Sequence, residues 1–343
     1  GKVVSIADTT VVRLDTDEGI TGWGEACPLG PFYLPSYAQG IRTGIGVLAR
    51  HLIGLDPRQI GALNTRMDRE LRGHAYVKSA IDVAAHDILG KSANLPVHAL
   101  LGGRQMDAAP MYWSISQGDP DDMRRQVDSA RQAGYRQFQL KVGGVPADDI
   151  ERIRAGLDGA RPGEIFLCDA NTGWRRDEAL SVARATADLD YIFEQPCDLY
   201  SDNLSVRRRT PHTFKLDESL QSPQDVSQAL QDDALDIACI KITKMGGLSK
   251  SRFARDLCAA HSIAMTVEDV WGAEIVTAAL GHLAISTPPD AILNTTDLHN
   301  YNDIHIATGA PQAHNGTLLV SDAPGLGIEP DLDVLGKPVA IHE

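Results

Sequence analysis

The stretches IFLCDANTGW (165–174), YIFEQP (191–196) and TFKLDES (213–219) decide how this chain folds. In each, a short apolar run of strand character ends in a carboxylate: Asp169, Glu194 and Asp217, spaced 25 and 23 residues apart. Such a spacing holds a strand, a crossover helix and two loops, the unit that joins parallel strands. Outward from these three the rhythm continues. MYWSIS (111–116), FQLK (138–141), IACIK (237–241), AMTVED (264–269) and AILNT (291–295) complete eight runs that start 22 to 27 residues apart. The gaps carry helical stretches such as ADDIERIRAGL (147–157) and DEALSVARATADL (177–189). Strands alternating with helices predict a parallel sheet covered by helices, and eight strands close a (β/α)8 TIM barrel. No G-x-G-x-x-G opens a helix after the first strand, which argues against an open dinucleotide-binding sheet.

Before the barrel the texture differs. KVVSIADTTVVRLDTDEGITGWGEA (2–26) alternates like a hairpin around Asp17-Glu18-Gly19, and residues 40–100 turn helical, with SAIDVAAHDIL (79–89) at helical spacing. Gly102-Gly103 closes this part. We therefore expect an α+β capping domain over 1–105 and a catalytic barrel over 106–310. The segment 311–343, with Pro311, Pro324 and Pro330, is expected to be irregular and to pack back on the cap.

The 343 residues carry 32 basic and 46 acidic side chains, a formal charge of −14, with 43% hydrophobic residues. That composition is of an ordinary folded protein and excludes a disordered one. No basic stripe offers itself to nucleic acid, and no run of about 18 apolar residues spans a membrane. Cys27, Cys168, Cys197, Cys239 and Cys258 are scattered, without a C-x-x-C pair. Reduced thiols, a cytoplasmic location and a small-molecule substrate are the expectation, no leader or lipidation signal being read.

Strand ends in a barrel converge on one mouth, where placed residues read as functional. A single strand-end acid reads as a helix cap. Three at equivalent positions would repel one another, and a divalent cation relieves that repulsion. Oxygen ligands without His or Cys suit a hard ion, Mg2+ first and Mn2+ second. Two further strands, the second and sixth, end in Lys141 and Lys241, on opposite sides of an eight-stranded ring. Either these pair with the acids, or they serve as acid and base at the two faces of a substrate, with a nearby metal drawing their pKa toward neutrality. Lys244 is expected on a loop or helix start. Together the five side chains suit removal of a proton α to a carboxylate.

These motifs resemble the enolase superfamily, in its mandelate racemase/muconate lactonizing enzyme family and the muconate-lactonizing-enzyme-like branch. GWGEA (22–26) and AYVKSAIDVAAHDILGK (75–91) look like its cap, LLGG (100–103) like its junction, and DANTGW (169–174), EQP (194–196), DES (217–219) and KITKMGG (241–247) like its metal and lysine motifs. The resemblance implies Asp169, Glu194 and Asp217 as Mg2+ ligands, Lys141 and Lys241 as the acid/base pair, and a homo-oligomer. Two departures stand out. The branch usually carries Lys-x-Lys on the second strand, where this chain has Gln139-Leu140-Lys141, and the chain begins at what resembles the second cap strand. Lysine on the sixth strand, with Glu268-Asp269 after the seventh, sets it apart from mandelate-type members with an Asp-His dyad.

FQLKVGG (138–144), TVEDVWGAEI (266–275), ISTPP (285–289) and TDLHNY (296–301) look like the branch's proline-derivative members. That resemblance implies dehydration of cis-3-hydroxy-L-proline, or alternatively racemisation or epimerisation of proline or hydroxyproline betaines. A third alternative is a non-catalytic metabolite-binding barrel, against which lysines on both sides speak. Candidate substrate contacts are Asn171, Gln139, Asp269 for a ring ammonium, Trp271 as an apolar or cation–π wall, and Tyr33 with Phe32 in the lid-like GPFYLPSY (30–37). His74 and Tyr76 beside the cap helix are similar cases. His51, His86, His98, His261 and His282 read as structural.

Overall fold

The computed structural model describes residues 6–343. The cap opens with an antiparallel hairpin, β1 (Thr10–Asp15) and β2 (Thr21–Ala26), with Val12 opposite Gly24. Among the described residues the strand pattern read from residue 2 begins at Thr10. Residues 2–5 lie outside the described residues, and 6–9 form no strand. Helices α1 (Ala38–Leu52), α2 (Ile60–Glu70) and α3 (Ala75–Ala93) follow. The hairpin lies directly on α3. A Cβ at Gly24 would come within 1.8 Å of the Ala80 carbonyl oxygen, so only glycine permits this approach. A one-turn α4 (Val97–Leu100) ends at Gly102 and Gly103, both left-handed at φ 121° and 95°.

After β3 (Ala108–Pro110) comes the barrel: β4 (Trp113–Ile115), β5 (Gln137–Lys141), β6 (Ile165–Asp169), β7 (Ile192–Glu194), β8 (Thr213–Leu216), β9 (Ile237–Lys241), β10 (Ala264–Glu268) and β11 (Ile292–Thr295). All eight pair in chain order and in parallel. A parallel bridge between Met111 and Thr295, with Tyr112 N–H donating to the Thr295 carbonyl at 3.2 Å, joins last to first. The ring is closed. Its outer layer is α5 (Pro120–Gln132), α6 (Pro146–Leu157), α7 (Arg176–Ala185), α8 (Tyr200–Arg207), α9 (Pro223–Gln231), α11 (Leu248–Ala260) and α12 (Glu274–Ile285), with the short α10 (Ile242–Met245) at the end of β9. Apolar side chains of these helices and the strand faces they cover, among them Val127, Phe138, Ile153, Phe193, Phe214 and Ile240, form one continuous core.

Buried carboxylates seat the cap on the barrel. Glu25 of β2 accepts from the backbone N–H groups of Ala273 (2.9 Å) and Val276 (3.1 Å) at the start of α12. Asp82 of α3 accepts from Ser249 N–H at 3.0 Å in the first turn of α11. Acids at helix starts are favoured by the free N–H groups there and by the helix dipole. The C-terminal segment ties to both parts: Thr317–Leu319 pairs with β3, while Leu326 N–H donates to Asp87 of α3 at 2.8 Å. Among the described residues no helix is long and apolar enough to cross a membrane.

Candidate active site

Side chains at the C-terminal ends of β5 to β10 meet at the barrel mouth beneath the cap loop. In the registers of β5–β6 and β6–β7, Lys141 lies opposite Asp169 and Asp169 opposite Glu194, so three consecutive strands end level. The acids are buried, and each is gripped by an ammonium. Asp169 Oδ2 is 2.6 Å from Lys141 Nζ, and its Oδ1 accepts from Asn171 N–H at 2.8 Å. Glu194 accepts from Gln139 Nε2 at 2.9 Å and faces Lys215 Nζ at 2.8 Å. Asp217 carries two lysines, Lys241 on Oδ2 and Lys244 on Oδ1, each at 2.7 Å.

Lys241 is the most closely held of the two predicted lysines. Besides Asp217 it donates to Tyr33 Oη at 2.8 Å and lies 3.3 Å from Glu268 Oε1. Tyr33 in turn donates to Asp217 Oδ2 at 3.0 Å, so the cap loop reaches the floor of the mouth. Lys141 sits four strands away across the ring, is about one-third exposed (32%), and adds only Asn171 Oδ1 at 3.3 Å.

The electrostatics follow from this crowding. Burial, with Asp169 and Asp217 nearby, pushes Glu194 up to about 7 even against Lys215. Burial beside Asp217 and Asp169 lifts Glu218 to about 8. Asp217 goes the other way: burial opposes its charge, but Lys241 and Lys244 outweigh burial and hold it well below the usual carboxylate range. Loss of hydration disfavours both ammonium groups, yet Asp169 and Glu194 carry Lys141 above its ordinary value, and Asp217 does the same for Lys241. The expected drift of the lysines toward neutrality is therefore absent while the carboxylates pair with them.

Several residues here escaped the sequence reading. Lys215 is fully buried; standing two before Asp217, it shares that strand face, and period-two counting finds it. Lys244 does lie on the helix start, in α10, but its long stem carries it inward to Asp217. Glu268 accepts from Tyr112 Oη and from Cys239 Sγ (3.1 Å) as well as meeting Lys241. Of the softer candidates, Asn171 bridges Lys141 and Glu218 (Nδ2 to Oε1, 2.9 Å). Asp269 is held by Thr243 and Val270 N–H groups and, with burial the dominant influence, rises to about 6. Trp271 donates from Nε1 to Asn302 at 2.9 Å and packs 5.9 Å from the Tyr301 ring.

The donor set suits a hard cation. Glu194 Oε1 is buried, with an ion pair but no hydrogen-bond geometry to satisfy it, and the acids on three adjacent strand ends are oxygen donors of the kind a hard ion takes. Ligand atoms of Glu194, Asp217 and Cys239 lie within 4.8 Å of one another. Asp169 is not in that set; its two oxygens meet Lys141 Nζ and the Asn171 N–H.

Comparison with known proteins agrees with this geometry. Residues 2–102 match the mandelate racemase / muconate lactonizing enzyme N-terminal domain, and residues 122–334 match the enolase C-terminal domain-like family. The chain is 48% identical over 340 residues to a cis-3-hydroxy-L-proline dehydratase of Roseibium aggregatum, covering 99% of this chain and 93% of that one. It is 29% identical to an N-succinyl-L-Arg/Lys racemase of Bacillus cereus, covering 95% and 88%. A mandelate racemase/muconate lactonizing enzyme of Roseovarius nubinhibens ISM, solved in complex with magnesium, superposes with a TM-score of 0.95 at 34% identity, covering 98% and 94%. Closed barrel, cap and ordered strand-end motifs thus agree with the matches along the whole chain, which belongs to the mandelate racemase/muconate lactonizing enzyme family of the enolase superfamily.

Proposed function

We propose that this chain dehydrates cis-3-hydroxy-L-proline, taking the proton from Cα and expelling the hydroxyl at carbon 3. Asp169, Glu194 and Asp217 would hold Mg2+, with Mn2+ as the substitute. When bound, a hard divalent ion compensates the carboxylates that now raise both lysines, and stabilises negative charge on the substrate carboxylate. Lys141 and Lys241 do the proton work from opposite sides. In the cis isomer, hydroxyl and carboxylate share a ring face and the α-hydrogen lies on the other. One lysine, as the neutral amine, takes the α-proton; the C–H electron pair forms the Cα=Cβ double bond as the C3–O bond breaks, and the other lysine, as the ammonium, protonates the departing hydroxyl, so water leaves and the enamine tautomerises to a pyrroline carboxylate. Gln139 and Lys215 fix Glu194; Asn171 ties Lys141 to Glu218. Tyr33 would cover the substrate, with Asp269 and Trp271 flanking its ring.

The observation that carries this reading is the pair of ammonium groups on strands four apart in the ring, β5 and β9. The 48% likeness to a cis-3-hydroxy-L-proline dehydratase favours elimination. The same two-sided pair supports a second reading, racemisation or epimerisation of proline-type betaines, since there a proton leaves one face and returns on the other. Five free, buried cysteines support a reducing, cytoplasmic location, and a homo-oligomer is proposed from the family alone. Incubation with Mg2+ and each candidate in D2O, followed by NMR, tests the reaction. Loss of the ring hydroxyl from cis-3-hydroxy-L-proline is expected. Inversion at Cα of a betaine would mean the second reading, and no exchange with any candidate would mean a binding barrel.

A further inference from the structure

Directly after Glu194 the chain turns at Gln195, which is fully buried and left-handed at φ 36°. A residue other than glycine rarely takes that conformation, and keeps it only where its surroundings over-determine it. Here the turn ends strand β7. The Gln195 N–H still donates to the Lys215 carbonyl of β8 at 3.0 Å, but the next rung comes from the side chain. Gln195 Oε1 accepts from Asp217 N–H at 2.9 Å and from Ser219 N–H at 3.3 Å.

The amide of Gln195 is saturated. Its Nε2 donates to the Cys197 carbonyl at 3.0 Å and to Ser219 Oγ at 2.7 Å, while its oxygen takes the two backbone N–H groups. Two donors and two lone pairs are all that a side-chain amide has. Nor can it flip, because Nε2 faces a carbonyl that only accepts and Oε1 faces N–H groups that only donate. The backbone carbonyl of the same residue accepts from Thr172 N–H at 2.9 Å, in the loop that follows Asp169. That loop is bent to make the contact: Asn171 and Thr172 are left-handed at φ 43° and 66°.

One residue thus joins three acid-bearing strand ends: Asp169 through Thr172, Glu194 as its own neighbour, and Asp217 through its backbone N–H. The lysines of the mouth grip carboxylate oxygens and have to release them to a cation. Gln195 grips the backbone instead, so its hold persists when the lysines leave. We infer that Gln195 is a positioning residue, which fixes the spacing of the three strand ends so that Asp169, Glu194 and Asp217 converge on one cation. This rests on the ligand set proposed above and adds the part that holds it in shape. Mg2+ tolerates little departure from octahedral geometry, so the spacing matters.

Gln195→Met keeps the bulk of the side chain and removes the amide. In the full-length protein the calorimetric Kd for Mg2+ should rise about 10- to 100-fold, the usual range for a lost partner behind metal ligands. The increase in thermal midpoint on adding a fixed Mg2+ concentration should shrink with it. A merely structural role would lower the metal-free midpoint and leave the Mg2+ Kd of the folded protein where it was. Should Gln195→Met not fold, Ser219→Ala decides. It takes one of the four amide partners away, and should raise the Mg2+ Kd about threefold or more. A Kd within about twofold of that of the unaltered protein, in the variant that decides, overturns the assignment. If the unaltered protein binds no Mg2+, or Asp217→Asn binds it equally well, the ligand set itself is wrong, a different failure from any that the Gln195 or Ser219 variants produce.

Discussion

Two groups of buried acids in this molecule meet different partners. Around the cap, Glu25 and Asp82 at its seam with the barrel and Asp87 within it accept from backbone N–H groups: Ala273 and Val276, Ser249, and Trp23 and Leu326. At the mouth, Asp169, Glu194 and Asp217 face the ammonium groups of Lys141, Lys215, Lys241 and Lys244. Most of these donors are backbone N–H groups fixed by the helix, strand or loop that carries them, Asp87 alone adding an ammonium, Lys91 at 2.7 Å, so the seam acids are locked and serve architecture. Lysine stems rotate, so the mouth acids can exchange an ammonium for another cation and the freed amine can move to a substrate. The same residue type is structural or chemical according to whether its partner can leave.

The largest effect should come from removing a partner that acts. Lys241→Ala is expected to lower turnover by about 10² to 10⁴-fold, the range for a lost acid or base, with circular dichroism and thermal midpoint showing an intact fold. Retained turnover would refute its role. Next comes the acid those lysines share. Asp217→Asn leaves Lys241 and Lys244 buried against a neutral amide, and should cost about 3–5 kcal/mol in denaturant unfolding while abolishing the calorimetric heat of Mg2+ binding. Unchanged Mg2+ affinity would remove Asp217 from the ligand set.

The architectural class should answer to pH instead. His282 is fully buried, accepts at Nδ1 from His98 N–H (3.2 Å) and lies 3.1 Å from the Leu326 carbonyl at Nε2. Burial lowers its pKa to about 3. Between about pH 6.5 and 3 the unfolded chain takes up a proton that the folded chain refuses, so stability falls as pH drops through that window, by about 2 kcal/mol at pH 5. His282→Asn should flatten the difference between urea unfolding at pH 5 and pH 7.5; parallel losses would show that another group governs. The smallest change belongs to the seam. Asp82→Asn should cost about 1–2 kcal/mol, as a lost helix cap does, and leave Mg2+ binding untouched. A change in Mg2+ affinity there would blur the distinction between the two groups.

The eight strands and their terminal acids and lysines were legible because both follow a local rule: an apolar run, then one polar residue, repeated at one spacing. Gln139, Asp169, Glu194 and Lys241 needed nothing more. Tyr33 was legible only as a lid residue; its contact with Asp217 spans 184 residues of chain and no local pattern encodes it. Lys244 was placed on the right element, but stem length rather than helix position decides where its ammonium goes. Lys215 was passed over because a lysine inside an apolar strand looks like an interruption, when its alternation with Asp217 puts it in the barrel interior. Asp269 reads from sequence as a contact for a ring ammonium; that Thr243 and the Val270 N–H engage it is settled by packing and not by any local pattern.

The most direct test is the anomalous scattering of crystals grown with Mn2+. A single strong peak at the mouth, with Asp169, Glu194 and Asp217 oxygens at about 2.0–2.3 Å and Lys141 and Lys241 on opposite sides, is the expected result. A peak elsewhere, or one at the mouth from which Asp169 still turns away to Lys141, would contradict the exchange of ammonium for metal on which the proposed chemistry depends.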